Sequence, residues 1–92
     1  MDEQEIYRVV GRRLRQRRRL LCLTQGEVAA ACSVSFQQIQ KYEAGICAMP
    51  IAKLVILAHA LEISVSYFVD HLEPQPLRRP EAEVEMLRAN AA

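Results

Sequence analysis

Apolar residues recur along this chain at spacings of three and four and nowhere alternate with polar ones over a useful length, so the pattern predicts helices and no strands. Ile6, Val9, Val10, Leu14 and Leu21 form one stripe, which places a first helix over about 2–22. Arg18 falls in the same stripe, four after Leu14 and three before Leu21, where an unpaired buried charge would cost several kcal/mol. Thr24-Gln25-Gly26-Glu27 has the layout of a capping box and opens a second helix over 25–32. Ser35-Phe36-Gln37-Gln38 repeats that layout and opens a third over 36–44, which Gly45 ends in a left-handed turn. Met49-Pro50 marks the next start. Ile51, Leu54, Val55, Leu57, Ala58 and Leu61 predict a fourth helix over 51–61, apolar on two sides and therefore packed in the centre. Ser64 is expected to cap a fifth over 64–72, turning Val65, Phe68 and Leu72 inward. Pro74, Pro76 and Pro80 break regular structure, so 73–92 reads as a linker and tail, with 81–90 patterned for a short sixth helix. Residues 1–72 are expected to form one all-α domain.

Composition narrows the class. A chain of 92 residues with half of them apolar holds one core and no more. The stretch from Leu54 to Leu61 is interrupted by His59 and is far too short to span a membrane. The acidic start, Asp2-Glu3-Gln4-Glu5, lacks the layout of a secretory signal, so the protein is expected in the cytoplasm, at the nucleoid. Cys22, Cys32 and Cys47 are odd in number and have no metal spacing, which makes them small apolar residues rather than a disulfide framework or a metal site. His59 and His71 belong to no nucleophile–base constellation, and no Gly-rich loop could cradle phosphates. Neither an enzyme, nor a cofactor, nor a small-molecule ligand is expected. The net charge of +1 conceals its distribution. Residues 6–72 hold nine Lys/Arg against four Asp/Glu, while residues 1–5 hold three acids and no base. Six arginines lie between Arg12 and Arg19, and the commonest partner of so basic a surface is a phosphate backbone.

The second and third helices are short, each freshly capped, and separated by three or four residues, which is the spacing of a helix-turn-helix. Around them the chain resembles the Xre/Cro/CI family of helix-turn-helix regulators, which includes phage repressors. The matching pieces are Val10-Gly11-Arg12-Arg13-Leu14-Arg15-Gln16-Arg17-Arg18, Leu23-Thr24-Gln25, Val28-Ala29 and Val34-Ser35. They continue with Ile39, Tyr42-Glu43-Ala44-Gly45, Leu54, Leu57-Ala58, Ala60-Leu61 and Ile63-Ser64, so the resemblance covers about residues 8–72. It implies a compact five-helix phage-repressor-like bundle whose second helix lies across the DNA backbone and whose third enters the groove.

A helix in the major groove offers its first turns to base edges, where Gln, Asn, Arg and Lys are the useful side chains. The third helix carries Gln37, Gln38, Gln40 and Lys41, with Ile39 as its inward anchor. In the family pattern the positions of Phe36, Gln37 and Lys41 face bases, and a thymine methyl suits Phe36. The resemblance puts Gln25 on a phosphate, with the free N–H groups of its helix, and Ser35 beside the backbone. Arg12, Arg15 and Arg19, extended by Arg8, share one stripe and are the candidates for further phosphate contacts. The resemblance also pairs Arg18 with Glu43 beneath the recognition helix. Cys22, Ser33 and Glu62 stand where relatives usually carry Gly at helix ends. The loop Ile46-Cys47-Ala48-Met49 is apolar where many relatives place Lys or Arg.

The expected partner is double-stranded DNA, bound by a homodimer on a partly palindromic operator, with repression the outcome of occluding polymerase. A different reading of the same residues is an antitoxin-like or anti-regulator interaction module that holds a protein through 46–49 or 73–92 and binds DNA only secondarily.

Overall fold

A computed structural model describes residues 1–77 and 81–90, and among these the chain is all-helical. Six helices follow in order: α1 Glu3–Leu20, α2 Gln25–Ala31, α3 Phe36–Ala44, α4 Ile51–Ala60, α5 Ser66–Val69 and α6 Glu81–Asn90. Residues 78–80 and 91–92 of the expected linker and tail, Pro80 among them, lie outside the described residues.

The local signals act as their chemistry requires. Asp2 caps α1 by accepting from the Glu5 N–H. Thr24 accepts from the Glu27 N–H at 3.0 Å while the Glu27 carboxylate accepts from the Thr24 N–H at 3.2 Å, a complete capping box. At α3 only half of that motif forms. Ser35 accepts from the Gln38 N–H, but the Gln38 side chain turns away to Cys47. Four helices end in one way. After α1, α2 and α4, Cys22, Ser33 and Glu62 adopt φ values of 58°, 53° and 57°, and Gly45 does so after α3 at 70°. The following N–H groups of Leu23, Val34, Ile46 and Ile63 reach back to the carbonyls of Arg18, Ala29, Lys41 and Ala58, so terminal carbonyls that would be orphaned are satisfied.

Val10, Leu14, Val28, Ala29, Ile39, Leu57, Leu61 and Phe68 build the core, with Cys32 and Tyr42 at its edges. Burial pushes the Cys32 thiol above its ordinary value, as suits a thiol packed as an apolar side chain. The α1–α3 crossing sets the geometry. Gly11 sits so close to α3 that a β-carbon there would collide with the Tyr42 carbonyl and stand 2.9 Å from that of Glu43. At the end of α3, a β-carbon on Gly45 would lie 2.6 Å from the Arg8 Cα, and Gly45 accepts from Gln4 Nε2. Two backbone-to-backbone approaches therefore fix how far α3 stands out from the bundle.

Two expectations need correction. The fifth helix is a single turn rather than a helix over 64–72. Val65 is already in the helical region, the bonds from Tyr67 N–H to Ser64 and from Phe68 N–H to Val65 span only three residues, and Asp70 turns extended. Ser64 does not cap it by its side chain; its hydroxyl bonds that of Ser66. The fourth helix is not central. Within it only Leu57 and Ala58 are buried, while Ile51, Val55 and Ile56 are exposed at 80%, 48% and 42%. Because α4 is apolar at almost every position, its periodicity could not say which side packs. Nor is any helix among the described residues long and apolar enough to cross a membrane.

Gly11→Ala is expected to cost ~3 kcal/mol or more in urea unfolding, because the clash is with immovable backbone. Glycine at 22, 33 or 62, all exposed, should instead raise stability by about 1 kcal/mol each, because the left-handed penalty outweighs glycine's entropy. Unchanged melts for all three would contradict the strained-turn account.

Candidate nucleic-acid interface

The third helix is anchored from below and bare above. Ile39 and Tyr42 are buried, and burial raises the Tyr42 phenol above its ordinary value. Phe36, Gln37, Gln40 and Lys41 are all exposed, Phe36 at 46%. Their spacing of one and four puts them on a single face of the first two turns, where the helix can be presented to base edges.

Gln38, expected with them, is placed elsewhere. It is half-buried, and its Nε2 donates to Cys47 Sγ at 3.2 Å, so it ties α3 to the loop that follows. One step around the helix from Gln37 and four before Tyr42, it belongs to the flank rather than the outer face. That loop is divided: Cys47 and Met49 pack partly against the core, whereas Ile46 is 65% exposed.

Beside the outer face runs a polar cleft of about 370 Å³ between α1, the start of α2 and α3, lined by Arg15, Gln25, Gln40, Glu43 and Ala44. Gln25 is half-buried and its Nε2 donates to Glu43 Oε1 at 3.1 Å. Glu43 is at the same time held by Arg18, whose Nε and Nη2 donate to its two carboxylate oxygens at 2.7 and 2.9 Å. The third guanidinium nitrogen, Nη1, donates to the Leu23 carbonyl at 2.8 Å, so the Arg18 fork is fully used. The hydrogen bond to Glu43 raises the Arg18 pKa further, against the effect of burial, and the pair stays ionised. With Glu43 neutralised in this way, Arg15 sets the sign of the cleft.

The six clustered arginines divide by face. Arg12, Arg15 and Arg19 are exposed along one stripe of α1, and Ser35, engaged as the α3 cap, is exposed as well. Arg13 and Arg17 are structural. Arg13 Nη1 donates to the carbonyls of Phe68 and Asp70 at 3.1 and 2.6 Å, and Arg17 Nε donates to that of Leu61 at 2.9 Å. Sequence reasoning missed this role. The available signal was their spacing of four, one stripe away from Arg12 and Arg19, together with the carbonyls that every helix end leaves open. Among the described residues no group of His, Cys, Asp and Glu could hold a metal ion.

Comparison with known proteins agrees with this arrangement. The helix-turn-helix family pattern matches residues 14–68. Over 75 residues the chain is 44% identical to a protein of Rhodospirillum rubrum described as an uncharacterized transcriptional regulator in the ATPase CF(0) region, covering 78% of this chain and 69% of that one. It is 43% identical over 68 residues to the HTH-type transcriptional regulator y4aM of Sinorhizobium fredii, covering 74% of this chain but only 46% of that protein. Among solved structures, the hypothetical transcription factor NHTF from Neisseria superposes with a TM-score of 0.67 at 19% identity, over 94% of this chain and 90% of that one. The apo form of the competence regulator ComR from Streptococcus vestibularis superposes with a TM-score of 0.66 at 20% identity, over 91% of this chain and 27% of that one. These two likenesses concern the fold.

Removing one partner of the Arg18–Glu43 pair strands the other, so Glu43→Ala should cost on the order of 3–5 kcal/mol. Replacing both, as Arg18→Met with Glu43→Leu, should recover most of that loss. Urea melts of the three chains check this, and an unaltered midpoint for Glu43→Ala would contradict it.

Proposed function

The chain belongs to the Xre/Cro/CI-type helix-turn-helix family of transcriptional regulators, and from that premise we propose that it is a sequence-specific repressor that binds a partly palindromic operator as a homodimer. The observation that carries the reading is the outer face of α3: Phe36, Gln37, Gln40 and Lys41 exposed together on a helix whose other side is locked by Ile39 and Tyr42. Glutamine matches the N6 and N7 edge of adenine, lysine donates to guanine O6 and N7, and Phe36 offers an apolar ring to a thymine methyl. Gln38 supports the reading helix through the loop and is not among its readers.

The cleft of Arg15, Gln25 and Gln40 is the proposed seat of a phosphate at the start of α2. There the free N–H groups and the helix dipole favour an anion. Glu43 positions the Gln25 amide, so the buried ion pair reaches the interface through one hydrogen bond. Arg12 and Arg19, with the N-terminal edge of α3 at Ser35, extend the contact along the backbone. One small module buries little DNA surface, which is why two half-sites about one helical turn (~34 Å) apart are proposed to supply the affinity. Occlusion of polymerase by the bound dimer would then repress.

Selection from random duplexes should yield a two-fold symmetric motif. On that site Gln37→Ala or Lys41→Ala should cost roughly 1–3 kcal/mol and relax preference at one base position per half-site. Arg19→Ala should weaken all duplexes alike and lower the dependence of log Kd on log salt by about 1. Fluorescence anisotropy across a salt series measures both, and an unchanged affinity and motif for Gln37→Ala would refute the assignment.

A further inference from the structure

The fourth helix leaves a whole face without a partner. Ile51, Ala52, Val55, Ile56, His59 and Ala60 recur at the spacing of one helix side, and all six are exposed. The only Lys or Arg of α4, Lys53, lies off that side and reaches the Cys32 carbonyl at 3.4 Å, so the face carries no charge other than what His59 acquires. Three branched side chains side by side in water mark an interaction surface. Phosphates gain nothing from such a surface, which sets it apart from the DNA-facing residues of α3 and α1.

We propose that this face is where a second copy of the chain docks, α4 against α4 across a two-fold axis, and that the contact acts chiefly between copies bound to one duplex. The proposal rests on the homodimer reading above and says which surface makes the dimer. Charge argues for a copy of itself. A self-contact brings each residue opposite its own kind or a near neighbour, which a face of one sign resists and an uncharged face allows. The chain's other exposed apolar residues, Met86 and Leu87 on α6, are a poorer fit, because Glu85 beside them would meet a surface with no base but His59. Size argues for assembly on DNA. Three branched side chains fall well short of the ~800 Å² per partner that a stable dimer buries. A weak contact suffices once two copies are held side by side at high effective concentration.

The test uses the full chain on duplexes with one or two selected half-sites. Wild type should bind the double site about 10- to 100-fold more tightly per copy than the single site. Val55→Glu and Val55→Lys should each keep the single-site affinity and lose that gain, and an equimolar mixture of the two should regain most of it. Ile51→Glu, at the most exposed position of the face, gives the same loss without any cost to folding, as a thermal melt would verify. A full gain retained by Val55→Glu and Ile51→Glu overturns the proposal. So does a gain that the charge mixture fails to restore and that the double substitution Met86→Glu, Leu87→Glu abolishes, because the tail is then the occupant. Sedimentation without DNA separates this contact from base reading. Weak self-association lost in Val55→Glu and restored in the mixture supports the α4 face even where no duplex preference is found. A monomer at every concentration, with no cooperative gain on DNA, overturns it.

Discussion

Arg18 occupies a core position of α1, and the helix-turn-helix rests on Glu43 meeting it. A guanidinium in that place is tolerated only because two carboxylate oxygens and one carbonyl take up its donors. The consequence reaches beyond neutralisation. Glu43 lies on α3 and the Leu23 carbonyl belongs to the turn before α2, so one side chain ties three segments together. Gln25, at the first position of α2, is held by the same carboxylate. The relative placement of the groove helix and the helix that crosses the backbone therefore depends on one buried charge pair, with Gly11 allowing the close approach that brings Glu43 within reach.

The family resemblance and the helix ends were legible because their causes are local. A threonine followed by a glutamate three residues on makes a capping box wherever the chain goes next, and Gly45 ends a helix for reasons internal to its own backbone. The Arg18–Glu43 pair could be anticipated because a charge in an apolar stripe demands a partner. Gln38 could not be separated from Gln37 and Gln40 so easily: its amide goes to Cys47, and that depends on how the 46–49 loop folds back. The face of α4 was misplaced for a similar reason. A helix apolar all round gives no period to read, and which side is covered is decided by neighbours far off in sequence. The short α5 reflects tertiary demand as well, since Phe68 must enter the core while Arg13 holds the Phe68 and Asp70 carbonyls.

The arginine cluster shows how one charge run serves two ends. Read as a number, six arginines within α1 suggest a surface for phosphates. In the fold, Arg13, Arg17 and Arg18 satisfy carbonyls and a carboxylate inside the molecule, and Arg12, Arg15 and Arg19 remain for an external partner. The rest of the proposed interface is polar but uncharged, which assigns affinity to the stripe and cleft and discrimination to the α3 face. The apolar side of α4 is a third, separate surface, suited to protein rather than to DNA.

The central claim, that bases are read by the outer face of α3, is tested most directly by the side-chain amide resonances of the four glutamines at positions 25, 37, 38 and 40. On titration with a selected duplex, those of Gln37, Gln40 and Gln25 should shift strongly while that of Gln38, held by Cys47, stays near its free position. Gln37 and Gln40 unmoved at saturation would contradict the account.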